Sequence, residues 1–320
     1  MAILSAFAPI WLFAAAGYAA RRWRLLGERP VTMLGWYVFH VAMPAALFVR
    51  LVKTSLAGFD ARPLAAFAAS TAIVMAIGWY LAGRVFDRKP GERAIWGMAA
   101  GYVNAANLGI PVAMQILGGI SFLVQVLLFQ TMVVSPIVLI ALDRHAETAR
   151  IAATARNPGG PGIRRITLRR TATVPFRNPI ILASALGIAL SAVSFRAPQA
   201  LLTPLTWLSW TAMPSALIAL GASLYSEEPA ADVRAAEISV ITVLKLVAQP
   251  ALACALSLLL DLPAALLFAV VVCSGLPSAQ NSFVFAQRYG VGQAIAGRAV
   301  VTTSTLSLAT IAATVALFGR

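Results

Sequence analysis

Long runs of apolar residues, each about as long as a bilayer is thick, alternate along this chain with short polar and basic segments. Ten such runs are read: Ile3–Ala20, Val31–Val49, Pro63–Gly83, Ala94–Gln115, Ile120–Leu142, Asn178–Phe195, Ala200–Tyr225, Ile238–Leu260, Pro263–Gln287 and Gln293–Phe318. A window of roughly 20 uncharged residues spans a bilayer as a helix. None of the runs shows the two-residue alternation of a barrel strand, and only helices and closed barrels satisfy their backbone in lipid. The pattern therefore predicts an all-α polytopic membrane protein with ten transmembrane helices. Arg21, Arg22 and Arg24 follow the first span and no basic segment precedes it. That order is the reverse of a secretory signal, so the span is expected to stay as the first membrane helix.

The same pattern repeats internally. MPAAL at Met43–Leu47 returns as MPSAL at Met213–Leu217, and LGIP at Leu108–Pro111 returns, at nearly the same distance, as SGLP at Ser274–Pro277. Five spans precede a basic segment and five follow it, so the second half enters the membrane in the opposite sense. The expectation is an inverted repeat of two five-helix units, 1–142 and 178–320, joined by a loop over 143–177. Inverted repeats with interrupted helices point to secondary transporters, with the binding site at the interruptions.

Composition agrees: 60% of the 320 residues are hydrophobic and 11% charged, with mean hydropathy +0.83. The net charge of +14 would suggest nucleic acid in a soluble chain, but here the basic residues segregate by loop. One side carries Arg21, Arg22, Arg24 and Arg29, then Arg84, Arg88, Lys89 and Arg93, then eight arginines from Arg144 to Arg177. The other holds Arg50, Lys53, Arg62, Arg196 and Arg320. The positive-inside rule then puts the central loop in the cytoplasm and both termini outside an inner (cell) membrane. The loop, with NPGGPG at Asn157–Gly162, reads as a connector carrying a surface-seeking helix or two, in contact with anionic headgroups. Nucleic acid is not an expected partner. Cys254 and Cys273 lie within spans and read as buried apolar-like residues.

Two spans are interrupted. In the fourth, Asn104, Asn107, Gly109, Pro111 and Gln115 break an apolar run; in the ninth, Ser274, Gly275, Pro277, Ser278, Gln280, Asn281 and Ser282 do so. Proline removes a backbone donor and glycine permits unusual dihedrals, so each helix is expected to split near mid-membrane. Unwound backbone at that depth must be buried in protein or line a polar cavity. If the two breaks cross, their helix N-termini and side-chain amides suit an anion. An ordinary proline kink accounts for either break alone; the pair, at equivalent places, favours a substrate site. The Met-Pro kinks at Met43-Pro44 and Met213-Pro214 are expected to pack against the broken helices.

All eleven acidic residues lie in loops or at span ends. A carrier built on midplane carboxylates is thus not expected. His40, Lys245 and Arg298 do lie within spans and are candidates for charge recognition or coupling. Against this, Lys245 and Arg298 sit within about two turns of a span end, from which they could snorkel to headgroups, and His40 could be a hydrogen-bonded packing residue. Hydroxyls at Thr302–Thr305 and Ser307 can bond their own backbone or bridge helices.

Five segments in order, NAANLGIPVAMQ (104–115), RNPIILASALGIALS (177–191), MPSALIALGASL (213–224), KLVAQPAL (245–252) and SGLPSAQNSFVFAQRYG (274–290), resemble the auxin efflux carrier family in its bacterial branch. The resemblance implies ten helices in inverted five-helix repeats with crossed breaks in the fourth and ninth. It also implies a scaffold of helices 1, 2, 6 and 7 beside a transport domain of helices 3–5 and 8–10, and a homodimer. Plant relatives move an anionic indole acid, and bacterial ones are described as malonate or malate transporters. By position, Asn104, Asn107, Asn281, Pro111 and Pro277 would form the substrate cradle, with Gly109, Gly275, Ser278 and Gln280 beside them. A carboxylate that the plant branch carries near its binding region, in a helix following the first two, has no counterpart in the third span, Pro63–Gly83.

The expectation is therefore a secondary active transporter of small organic anions, carboxylates such as malonate or malate or auxin-like acids, working by elevator-type alternating access. Neither a cofactor nor a metal is expected beyond coupling to H+ or Na+. A sodium-coupled organic-anion symporter of the bile-acid type is the alternative, with cations held by unwound carbonyls and by Ser278, Asn281 or the last-span hydroxyls. A membrane sensor using the basic loop is weaker. An enzyme is not expected, because no cluster of His, Cys and carboxylate with ligand spacing lies in the spans.

Overall fold

Twelve helices make up the described part of the chain, residues 2–53, 61–109, 112–119, 121–155, 179–193, 195, 197–225 and 233–318 of a computed structural model. They are α1 (Ala2–Arg22), α2 (Glu28–Tyr37, Val38–Ala42 and Met43–Val52), α3 (Ala61–Arg84), α4 (Pro90–Gly101) and α5 (Ala105–Gly109 and Ala113–Leu117). There follow α6 (Ser121–Phe129, Gln130–Val134 and Ser135–Ala155), α7 (Pro179–Ala192), α8 (Gln199–Leu224) and α9 (Ala235–Val243, Leu244–Ala248 and Gln249–Leu259). The series ends with α10 (Ala264–Ser274), α11 (Asn281–Tyr289) and α12 (Gln293–Phe318). Six of these stretches are long and apolar enough to cross a membrane: Arg29–Val52, Ala61–Arg84, Ser121–Thr148, Gln199–Ser223, Ala235–Leu259 and Gln293–Phe318. The fourth and ninth apolar runs of the sequence each appear as two helices, α4 with α5 and α10 with α11. Helix α6 runs on to Ala155, so the start of the basic segment is helical; the rest of it, with NPGGPG, lies outside the described residues.

Three of the long helices widen just before a proline, whereas α8 takes Pro204 and Pro214 within a continuous α-helix. In α2, α6 and α9 a five-residue π segment ends one residue before the pair Met43-Pro44, Ser135-Pro136 or Gln249-Pro250. A proline ring clashes with the carbonyl four residues back and offers no N–H to it. Opening the turn to i→i−5 relieves the clash while still using the carbonyls. The bonds are of that kind: Met43 N–H to Val38 O, Ser135 N–H to Gln130 O, Gln249 N–H to Leu244 O.

Packing relies on small residues, as it must where lipid tails compete for apolar surface. Helices α1 and α8 touch backbone to backbone: a Cβ at Gly17 would lie 2.1 Å from Ile218 O, and one at Gly221 would lie 1.8 Å from Ala14 O. Helix α7 lies on the second half of α2, where a Cβ at Gly187 would reach Leu51 Cβ at 3.0 Å. Helix α3 packs on α4 and α9, with Gly97 and Gly101 against the backbone of Met75 and Thr71. Large apolar side chains such as Leu12, Trp36, Trp207, Trp210 and Leu258 remain exposed on the outside, as suits a lipid-facing surface. At the end of the bundle where α4 and α9 begin, Arg88 makes two hydrogen bonds to the carboxylate of Glu237, at 2.7 and 3.0 Å. Trp96 Nε1 and Glu92 complete the group.

Candidate functional site

The backbone leaves α4 at Tyr102 in an extended conformation and meets the turn between α10 and α11 there. Val103 and Ser278 form an antiparallel bridge: Asn104 N–H donates to Pro277 O at 2.8 Å and Ala279 N–H to Tyr102 O at 3.0 Å. The two breaks thus satisfy each other's backbone, answering at mid-bundle the demand that buried N–H and C=O groups be paired. Side chains brace the crossing. Ser278 Oγ donates to Ala99 O, Ser278 N–H donates to Thr303 Oγ1 at 3.1 Å, and Gln130 Nε2 donates to Val103 O at 3.2 Å. Gly109 is fixed by packing, since a Cβ there would come within 2.7 Å of Leu123 Cδ1.

A cleft enclosing about 460 Å3 of atom-free space, its open mouth included, lies beside the crossing between α2, α8, α5 and α11. Helix α2 contributes Met43, Ala46, Leu47 and Arg50, and helix α8 contributes Ser209, Ala212, Met213 and Ala216. Both sets follow the spacing i, i+3, i+4, i+7 of one helix face. Opposite them stand Ala106 and Asn107 of α5, then Gln280, Asn281 and Val284 at the start of α11. The N–H groups of Ser282, Phe283 and Val284 close back on Ala279 and Gln280. Recognition at this helix start therefore falls to the side chains of Gln280 and Asn281. Gln280 is 5% exposed, and its Oε1 has no hydrogen-bond partner.

Of the residues singled out in the sequence, Asn107, Gln280 and Asn281 line the cleft. Asn104 is buried behind them; its Oδ1 accepts the N–H of Asn107 at 3.3 Å, and its Nδ2 has no partner. Pro277 and Ser278 serve the bridge, Gly109 serves packing, and Gly275 caps α10 with an ordinary right-handed backbone. Pro111 lies outside the described residues. His40 stacks on Trp36 at 4.7 Å between ring centroids, with Nδ1 2.9 Å from Trp36 O. Arg298 donates to Val233 O at 3.3 Å, ahead of α9. Neither lines the cleft.

Lys245 differs from the snorkelling alternative. It is fully buried on the π segment of α9, where Nζ donates to Gln249 Oε1 at 2.6 Å and to Ser274 O at 2.9 Å. Arg50 differs too: counted with the outer-side loop charges, it lies inside α2 and lines the cleft. A signal for it was present, because Arg50 follows Met43 by seven residues and so shares its helix face. Gln249 was also missed, since nothing local in KLVAQPAL shows that its amide reaches Thr71 and Gly101.

Residues 2–315, nearly the whole chain, match a family described as "Membrane transport protein". The chain belongs to that family. It is the auxin efflux carrier grouping that the five sequence segments resemble. A protein of Rhizobium meliloti (strain 1021) named "Putative malonate transporter" is 29% identical over 311 residues, covering 92% of this chain and 89% of that one. The protein is thus a multi-pass membrane transporter rather than an enzyme, and its cleft, crossing and buried lysine are parts of a transporter.

Proposed function

We propose that this transporter carries small organic anions, carboxylates such as malonate or malate or auxin-like acids, by secondary active transport. The observation that carries the reading is the composition of the cleft. One wall holds the amides of Asn107, Gln280 and Asn281, and the opposite wall holds a guanidinium, Arg50. An arginine fork binds a carboxylate in two parallel hydrogen bonds, and amide N–H groups serve the same oxygens. With no acidic residue among the described residues that line this space, an anion meets the attraction of Arg50 and of the amide N–H groups. The relative named for malonate is consistent with a carboxylate cargo.

In this proposal the ten spans form two inverted five-helix repeats. Helices α1, α2, α7 and α8 are a scaffold that also dimerises, and the remaining helices, with the crossing, are the mobile part. The cleft lies along the boundary between these groups, so sliding one against the other would expose it to either side of the membrane, as alternating access requires. The termini face outward and the basic loop the cytoplasm, following the distribution of arginines.

Uptake of radiolabelled malonate, malate and indole acetate into proteoliposomes, with a proton or a sodium gradient imposed separately, tests the cargo. The double variant Asn107→Ala, Asn281→Ala and the single variant Arg50→Ala should each lose about tenfold or more in uptake, equivalent to about 1.4 kcal/mol of recognition, at matched expression. Equal uptake by wild type and double variant would sink the assigned site.

A further inference from the structure

Helices α4 and α10 both end at the crossing, at Gly101 and Ser274, and the last carbonyls of both are taken by side chains one turn apart on α9. Lys245 Nζ donates to Ser274 O at 2.9 Å; Gln249 Nε2 donates to Gly101 O at 2.9 Å and to Thr71 Oγ1 at 3.0 Å. With its NH2 group held by two acceptors, the Gln249 amide must turn its oxygen the other way, and that oxygen takes the second Lys245 bond at 2.6 Å. Lys245 and Gln249 are both 0% exposed. Both recorded partners of the ammonium are neutral oxygens, and no carboxylate among the described residues is paired with it.

The C-terminal carbonyl of α10 and the amide oxygen of Gln249, arranged next to unwound backbone with the C-terminus of α4 one bond away through the same amide, make the kind of environment in which broken-helix carriers hold a coupling cation. Here the amine of Lys245, tethered to α9, already lies against these oxygens. We propose that the Lys245 ammonium is a resident cation occupying the seat that a coupling metal ion takes in a sodium-driven carrier, so that this transporter moves its anion without sodium. The inference rests on the transporter reading and bears on its driving ion. It removes the sodium-coupled alternative, because a sodium ion and an ammonium cannot share these oxygens.

Purified protein should be melted in detergent in sodium, potassium and choline chloride at equal ionic strength, as wild type, Lys245→Ala and Lys245→Gln. Wild type should melt within about 1 °C in all three salts. Lys245→Ala should melt lower in choline and regain about 3 °C or more in sodium, because an ion that binds only the folded state raises the midpoint. A wild type stabilised by sodium over potassium would overturn the proposal, as would a Lys245→Ala variant indifferent to sodium. If the alanine variant does not fold, Lys245→Gln, which keeps a donor without the charge, is read the same way. If neither folds, the wild-type comparison decides. Malonate uptake by wild type should agree within about twofold between sodium and choline media; tenfold dependence on sodium would overturn the proposal. Absence of malonate uptake in both salts, with the melting result intact, would count against the cargo assignment and leave the resident cation standing.

Discussion

Arg88 and Lys245 are both buried basic residues, one at an end of the bundle and the other at its crossing. Arg88 is met by a full opposite charge: the fork of the guanidinium fits the carboxylate of Glu237, which also accepts from Trp96 and from the N–H of Arg234. Lys245 is met by dipoles alone, a helix-terminal carbonyl and an amide. The Arg88–Glu237 pair is neutral as a unit and ties the start of α9 to the turn before α4. In the proposed reading the Lys245 group holds a positive charge inside the protein with no carboxylate partner among the described residues. A charge left uncompensated in a low-dielectric interior is expensive. The Arg88 group is explained by architecture, and the Lys245 group by the resident cation proposed for the crossing.

The difference can be broken from the Arg88 side first. Arg88→Ala strands the Glu237 carboxylate and should cost about 3–5 kcal/mol of stability, read as a fall in melting midpoint and folded yield. The double change Arg88→Met, Glu237→Leu should recover most of that loss; a double variant as damaged as the single one would show that the pair is not a self-contained unit. On the Lys245 side, Gln249→Leu deprives both the ammonium and the Gly101 carbonyl of a partner, and about 1–3 kcal/mol should be lost. The same melting series checks it, and no loss would mean that water replaces the amide. The smallest effects belong to the two other candidates within the spans, which lie outside both groups. His40→Gln and Arg298→Ala should each stay within about 0.5 kcal/mol in stability and leave anion uptake within about twofold. A tenfold uptake loss in either would move the charged site away from the crossing.

Much of this arrangement was legible along the chain. Apolar runs with Gly, Pro and amides predicted where the helices divide, and α4, α5, α10 and α11 divide there. The amides Asn107, Gln280 and Asn281 reach the cleft. Ser278 carried the same polar signature yet spends its hydroxyl on Ala99 O, because in a crossed pair one side of each break faces the other and only one side faces open space. Arg50 was hidden by a boundary: a charge at the apparent end of an apolar run looks like a loop residue, although the helix continues to Val52. Lys245 was hidden by distance, since its acceptor Ser274 is 29 residues away and no local pattern encodes that meeting. Helical period and backbone chemistry can be read along one dimension; the pairing of a buried polar group with a partner on another element cannot.

The Val103–Ser278 bridge has a kinematic consequence. Four half-helices, α4, α5, α10 and α11, are pinned through a single point by two backbone hydrogen bonds, and Ser278 extends the pin to α4 and α12. None of the four can swing alone without unfastening the others, so the crossing behaves as one braced truss with few internal degrees of freedom. In the proposed alternating-access cycle, opening or narrowing of the cleft then comes from displacement of the truss as a whole along α2 and α8, whose facing residues Ala46, Ala212 and Ala216 offer a low-relief track.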